Sequence, residues 1–422
     1  MTSKEIVIQK YGGTSVSTVE RILKVAEHIK KTVDFVKTVV IVVSARGNTT
    51  DELIRLAEET YGGSLPLEEE IRDEQNKLLV TGEEQSAPLL ALALRRLGIA
   101  AVSLTSREIE LETNTAGKVK MVRGIREIES LISQGKVPVV TGFQGIKETT
   151  KRVTILGRGG SDVTAVVLAA VLKAQCCENY TDVDGIYTID PHLVPKARRF
   201  DHVGYYQLAQ LSELGGGKLA DRAVVLAQRL GVEIRVLLSP SFGESTGGTL
   251  VSSGGNLEEM ETSWVQSGVA IQKGMLVRIS NVPNEPGVSA EIFGSLKNFC
   301  LLDSVQGLSE TTADISLLCF TDDFPGIMKE LYEVKETGTV REITVGEIKI
   351  SEGLKVAELT LVNPLMKEEP GYFSRVFGSM ARAAINIEMY AAAGSAISIV
   401  VKEEDLKMAA QAMAEEFDLI AE

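Results

Sequence analysis

The chain has 422 residues, of which 44% are hydrophobic and 24% charged, with a formal net charge of −14 and a pI near 5.0. This length exceeds one ordinary core and predicts two or three domains. The acidic balance argues against nucleic acid or an anionic membrane as the main partner, while leaving room for a basic pocket in one cleft.

The first predicted strand, EIVIQKYG (5–12), starts so near the N-terminus that no signal peptide is expected. A helix follows over 18–33, then the strand KTVVIVVSA (37–45) and a helix over 49–61. The aliphatic run VVIVV (39–43) is far too short to span a bilayer. Next come the helix start in LLVTGEEQS (78–86), the strand KVPVVTGFQG (136–145), and RVTILGRGG (152–160) leading into the helix DVTAVVLAAVLKA (162–174). CCENYTDVDGIY (176–187) and GVEIRVLLS (231–239) close the series. Strands alternating with helices imply a mostly parallel sheet covered on both faces, whose ligands lie beyond the carboxyl ends of the strands.

SSGGNLEEMETS (252–263) is Gly/Ser-rich and then acidic, and reads as a linker. Beyond it EPGVSAEIFGSL (285–296) repeats as EPGYFSRVFGSM (369–380), which implies a duplicated small domain, each copy patterned as βαββαβ. Four cysteines and three histidines show no metal-ligand spacing, so reduced thiols and a cytoplasmic location are expected.

Three stretches carry chemistry. In QKYGGTS (9–15), Gly12 and Gly13 lie between a strand and a helix, where backbone N–H groups can approach an anion and Lys10 can add a point charge; a plain turn would also accommodate them. In LGRGGSD (156–162), Arg158 can grip a carboxylate with two parallel hydrogen bonds, and Ser161 or Asp162 can cap the helix. YTDVDGIYTIDP (180–191) sets Thr181, Asp182, Asp184 and Asp190 around a turn, suited to a nucleotide and its cation or to a surface loop. Glu83 follows Gly82 at a helix start, as a helix-dipole partner or an amine binder.

Taken together, KYGGTSV, SARGNTTDEL, LLVTGEEQS, GFQG, TILGRGGSDVTA and YTDVDGIYTIDPHLVPKA resemble the aspartate kinases in order and spacing. The duplicated C-terminal module resembles that family's paired ACT domains. The resemblance implies an amino-acid-kinase-type α/β/α sandwich over 1–252, a linker over 253–264, and two ferredoxin-like ACT domains over 265–345 and 346–422. The implied activity is transfer of the ATP γ-phosphate to the side-chain carboxylate of L-aspartate. Lys10 and Asp162 would be catalytic, with Lys10, Gly12 and Gly13 on the γ-phosphate. Ser44, Thr50, Glu83 and Arg158 would bind substrate, Glu83 at its α-amino group and Arg158 at its α-carboxylate. Thr181, Asp182, Tyr187 and Lys218 would bind the nucleotide. Mg²⁺ would be held mainly by ATP, without protein ligands. Asn284, Gly287 and Asn386 mark the effector turns for lysine or threonine, and the ACT pair implies a homodimer or higher homo-oligomer.

Three features depart from the family pattern. His192 stands at a position usually arginine, Gly217 takes the place of a usual lysine with Lys218 one residue later, and Arg46 stands in SARG where SAMG is frequent. Two alternatives follow: a kinase retuned to another acidic amino acid, or an ACT-bearing regulatory partner with a weakened kinase half.

Overall fold

The computed structural model describes residues 6–35, 38–63, 65–66, 68–253, 267–309, 311–337, 348–364, 366 and 370–421. They divide into two compact units. Residues 187–198, 214–216 and those from 267 onward form the second unit; the other described residues form the first. The linker expected at 253–264 lies, but for Ser253, outside the described residues, as does the 345/346 boundary.

The first unit begins with β1 (Ile6–Tyr11), α1 (Val19–Asp34), β2 (Thr38–Val43), α2 (Thr49–Tyr61), α3 (Glu69–Leu79), α4 (Thr81–Arg96) and β3 (Ala101–Leu104). It continues through β4 (Leu111–Thr113), β5 (Val119–Val122), α5 (Ile125–Ser133), β6 (Val137–Thr141), β7 (Gln144–Lys147), β8 (Val153–Ile155), α6 (Gly160–Val171) and β9 (Cys176–Thr181). β10 (His202–Gly204), α7 (Tyr205–Glu213), α8 (Asp221–Leu230), β11 (Ile234–Leu238) and β12 (Thr249–Ser252) complete it. Eight strands make one sheet in the order β10-β12-β11-β9-β1-β2-β6-β3, parallel except for the β11–β12 pair.

β2 and β6 are apolar almost throughout because both faces of the sheet are covered, as parallel sheets require. Val39, Ile41 and Val43 pack under α1 and α4 in one cluster. α6 lies against β1, β2 and β9, and its residues Gly160–Ala169 are all buried. α1 is stopped at its N-terminus by Thr18, whose hydroxyl accepts from the Arg21 amide at 3.3 Å. The expected α/β/α sandwich is therefore present.

A second, four-stranded sheet (β5-β4-β7-β8) was not legible from the strand pattern. α3 is fastened to it by charge. Asp73, 2% exposed, accepts from Lys147 Nζ at 2.6 Å and Arg152 Nη1 at 2.7 Å, while Lys147 also reaches Glu69 at 2.9 Å. Burial works to raise the Asp73 carboxyl, but these hydrogen bonds overcome it and hold the group below its ordinary value. Removing Asp73 leaves the Lys147 ammonium, itself 5% exposed, with only the exposed Glu69 as a partner. Asp73→Ala is expected to cost about 3–5 kcal/mol in urea unfolding, far more than an exposed ion pair would.

The second unit contains β13 (Gly268–Pro283), α9 (Val288–Ser295), β14 (Leu301–Leu308), β15 (Thr312–Cys319), α10 (Phe324–Thr337) and β16 (Lys349–Ile350). β17 (Leu354–Val362), α11 (Tyr372–Arg382), β18 (Met389–Ala393), β19 (Ala396–Lys402) and α12 (Leu406–Glu416) follow. The sequence repeat returns as geometry: α9 and α11 each start after a left-handed glycine, Gly287 at φ 103° and Gly371 at φ 102°.

The first module reads βαββαβ as expected, with β16 at the edge beside β13. The second differs. Its fourth strand is supplied by residues 268–276 of β13, which pair antiparallel with 354–362 of β17. Both modules thus share one sheet, β14-β15-β13-β17-β19-β18. A linear repeat could not show that one long strand serves both copies.

Candidate functional site

The site of the first unit is assembled at the carboxyl ends of β1, β2 and β9 and the start of α6. Lys10 and Asn179 are register partners on β1 and β9, so their side chains leave the same face, the one α6 covers. Asp162, in the first turn of α6, receives both. Lys10 Nζ lies 2.7 Å from its Oδ1, Asn179 Nδ2 donates to the same oxygen at 2.8 Å, and the Ala220 amide reaches Oδ2 at 3.3 Å. α6 can begin there because Gly159 adopts φ 66°; a Cβ on it would lie 2.1 Å from that of Ala220.

Of the two glycines after β1, Gly12 lies beside this cation and Gly13 against the loop after β2. A Cβ at Gly12 would stand 3.6 Å from Lys10 Nζ, and one at Gly13 only 2.6 Å from the Ala45 carbonyl oxygen. The loop after β2 thus closes on the glycine turn, and the Gly47 amide donates to Gly13 O at 2.9 Å. Ser44, half-buried in that loop, donates its amide to Tyr11 O at 3.2 Å, and Thr50 opens α2 beyond it.

Glu83, in the first turn of α4, is 2% exposed. Its Oε1 accepts from the Ala45 amide at 2.9 Å, whereas the buried Oε2 has no partner. Burial pushes the carboxyl up to about 7, although the Ala45 amide pulls it down. A buried acid with one oxygen unsatisfied is suited to receive a cationic ligand group. Gln144, 1% exposed, steadies the turn before it, donating to Val80 O at 3.3 Å and accepting from Ser106 Oγ at 3.1 Å.

Of the other candidates, Thr181 Oγ1 donates to Asp182 Oδ1 at 3.1 Å, and Lys218 Nζ lies 3.6 Å from the same oxygen. The one-residue offset of Lys218 therefore still brings its charge to Asp182. Arg158 is exposed and borders a cleft of about 1160 Å³ with Arg72, Asn76, Lys118, Asp221 and Arg222. Asp184 faces inward: it accepts from Ser245 Oγ at 2.5 Å, the Thr246 amide at 2.8 Å and Arg199 Nη1 at 2.9 Å, which marks it as a turn residue. Tyr187 and Asp190 belong to the second unit, where Tyr187 packs against its hydrophobic cluster and Asp190 Oδ1 accepts from the amide of exposed His192 at 2.9 Å.

In the second unit, Asn284 Nδ2 donates to Ser309 O at 2.9 Å, next to Gly287 at the start of α9. Asn386 is exposed and donates to Glu388 Oε1 at 3.2 Å. Asn179 and Gln144 escaped the sequence reading. The strand pairing that places Asn179 beside Lys10 was the signal for the first; Gln144 lay inside the quoted GFQG.

Residues 5–237 match the amino acid kinase family and residues 359–417 an ACT domain. The aspartokinase of Pseudomonas aeruginosa is 36% identical over 422 residues, covering 99% of this chain and 98% of its own. Two solved structures of E. coli aspartokinase III share the fold. One, in complex with aspartate and ADP, has a TM-score of 0.71 at 22% identity, covering 98% of this chain and 100% of its own. The other, in complex with lysine and aspartate, has a TM-score of 0.73 at 23% identity, with the same coverage. Among the described residues no helix is long and apolar enough to cross a membrane.

Proposed function

The chain belongs to the aspartokinase family of ATP-dependent kinases acting on aspartate, and on that premise we propose which of its residues carry the transfer and how it is regulated. The observation that supports the assignment most is the pairing of an unsatisfied buried acid, Glu83, with the Lys10–Asp162 ion pair across one short loop. An amino-acid substrate presents an ammonium, an α-carboxylate and a side-chain carboxylate. Glu83 Oε2 takes the ammonium and Arg158 the α-carboxylate, while Ser44 and Thr50 flank the acceptor. The attacking carboxylate is ionised at neutral pH, so no general base is required.

Attack on the γ-phosphorus brings two anions together. Lys10 and the amides around Gly12 and Gly13 offset that repulsion and stabilise the equatorial oxygens as charge spreads over them. Asp162 orients Lys10. Thr181, Asp182, Tyr187 and Lys218 hold the nucleotide. Mg²⁺ is assigned to the phosphates of ATP, where it would supply charge neutralisation.

The second unit is assigned as an ACT pair following the division 265–345 and 346–422, with β13 shared between the modules. E. coli aspartokinase III has been solved with lysine. By analogy lysine or threonine is proposed as the effector at Asn284, Gly287 and Asn386, in a cytoplasmic homodimer or higher homo-oligomer. The test is ADP release by the purified protein with Mg-ATP and L-aspartate, with hydroxylamine present to trap the acyl phosphate. Aspartate-dependent turnover with hydroxamate formation is expected, falling when lysine or threonine is added. Turnover with L-glutamate but not L-aspartate would overturn the substrate assignment and implicate Arg46, whose buried Nε has no partner.

A further inference from the structure

Asp162 faces a conflict that the ion pair alone does not resolve. Its side chain is only 8% exposed, and its strongest contact is Lys10 Nζ at 2.7 Å. In the transfer step that same ammonium has to turn its charge toward the phosphoryl oxygens. A buried carboxylate that loses its cation keeps only the hydrogen bonds fixed around it, and an unsatisfied buried charge is strongly disfavoured.

The remaining contacts are unequal. The Ala220 amide is 3.3 Å from Oδ2, a long bond, whereas Asn179 Nδ2 is 2.8 Å from Oδ1, the oxygen Lys10 would release. Asn179 is itself 2% exposed and anchored in β9, directly beside Lys10 across the parallel pair. Its Oδ1 is buried without a partner, so the amide has no second bond drawing it elsewhere. On this face of the sheet a buried strand would ordinarily carry an aliphatic residue, as Val42 does on the other side of Lys10.

We propose that Asn179 is a positioning residue for phosphoryl transfer, holding Asp162 in place through its side-chain N–H while Lys10 moves its charge onto the phosphate. It touches neither substrate nor nucleotide and acts through Asp162. This inference rests on Lys10 being the phosphate cation, and its test is built to separate the two.

The experiment measures kcat and both KM values for Asn179→Leu and Asn179→Asp, alone and in the Lys10→Ala background. Leu keeps the volume and removes the donor. Asp keeps the shape, removes the donor and adds like charge. For Asn179→Leu, kcat is expected to fall about tenfold to a hundredfold, the range for losing a hydrogen bond to a charged group. The KM values for aspartate and ATP should shift by less than about threefold, since ground-state contacts are untouched. Asn179→Asp should lose at least as much kcat, and an Asp variant with parental kcat overturns the proposal.

In the Lys10→Ala background either change should add little, because groups acting as one unit are non-additive. A folded Asn179→Leu enzyme with parental kcat overturns the inference, as does a loss confined to KM. Should Leu not fold, Asn179→Ala takes its place: kcat is expected to fall with the KM values little changed, and parental kcat overturns the inference. If Lys10→Ala itself retains activity, the assignment of Lys10 falls first, and the Asn179 inference falls with it.

Discussion

Lys10→Ala is expected to lower kcat by at least about a hundredfold, the scale on which preorganised electrostatic groups contribute to transfer. The ammonium is held beside Gly12, where a Cβ would come within 3.6 Å of it, and is fixed by Asp162 at 2.7 Å. Among the described residues the partners of Asp162 are Lys10, Asn179 and the Ala220 amide, of which only Lys10 carries a charge. Lys10→Arg should rescue poorly. The side chain is 11% exposed, and a planar guanidinium needs more room than the glycine turn leaves. Steady-state assays with circular dichroism to confirm folding check both variants; an active Lys10→Ala enzyme would defeat the mechanism.

The second large effect falls on substrate affinity. Glu83→Gln is expected to raise the aspartate KM by about thirtyfold or more, because a buried, hydrogen-bonded charge partner is removed, with a smaller change in kcat. The same substitution should stabilise the protein, and the sign follows from the shift. The folded carboxyl titrates at about 7 against an ordinary value of 4.5. Between those values the native state holds a proton that the unfolded chain releases, so stability falls as pH rises from 4.5 to 7 and stays low above it. Glutamine carries no such penalty while offering the Ala45 amide the same acceptor. Above pH 7 the variant should therefore be more stable by about 1–3 kcal/mol, and below pH 4.5 the difference should vanish. Urea unfolding at pH 8 and pH 4 would show whether an acid kept for binding is held at the cost of stability.

The elements proposed to recognise phosphate and substrate were legible because each is local: a glycine pair after a strand, GRGGSD before a helix, Glu83 one residue after Gly82. Such patterns carry their geometry with them. What escaped the sequence depends on pairing between distant segments. Asn179 looked like an ordinary polar residue in a strand until the β1–β9 register set it opposite Lys10. Of the small sheet β5-β4-β7-β8, β8 was legible within RVTILGRGG but was read into the main parallel series; the other strands run three or four residues, too short for a period to emerge. The Asp-Gly turn left Asp184 open between a ligand and a turn residue, because its partners Ser245 and Thr246 lie more than sixty residues away. The shared strand β13 reads as one run of sixteen residues, and only hydrogen bonding divides it between modules.

The measurement that tests the substrate assignment most directly is the aspartate KM between pH 8 and pH 6. Glu83 is largely ionised at pH 8 and largely neutral at pH 6 if it titrates at about 7. Burial holds both histidines of this unit that show a shift, His28 and His202, below 6.5, so Glu83 is the group whose charge changes across the upper part of this range. The KM should rise about tenfold as pH falls, centred near pH 7, and the rise should be absent in Glu83→Gln. A KM that is flat with pH in the parent, or that rises equally in Glu83→Gln, would contradict the assignment of Glu83 as the acid that receives the substrate ammonium.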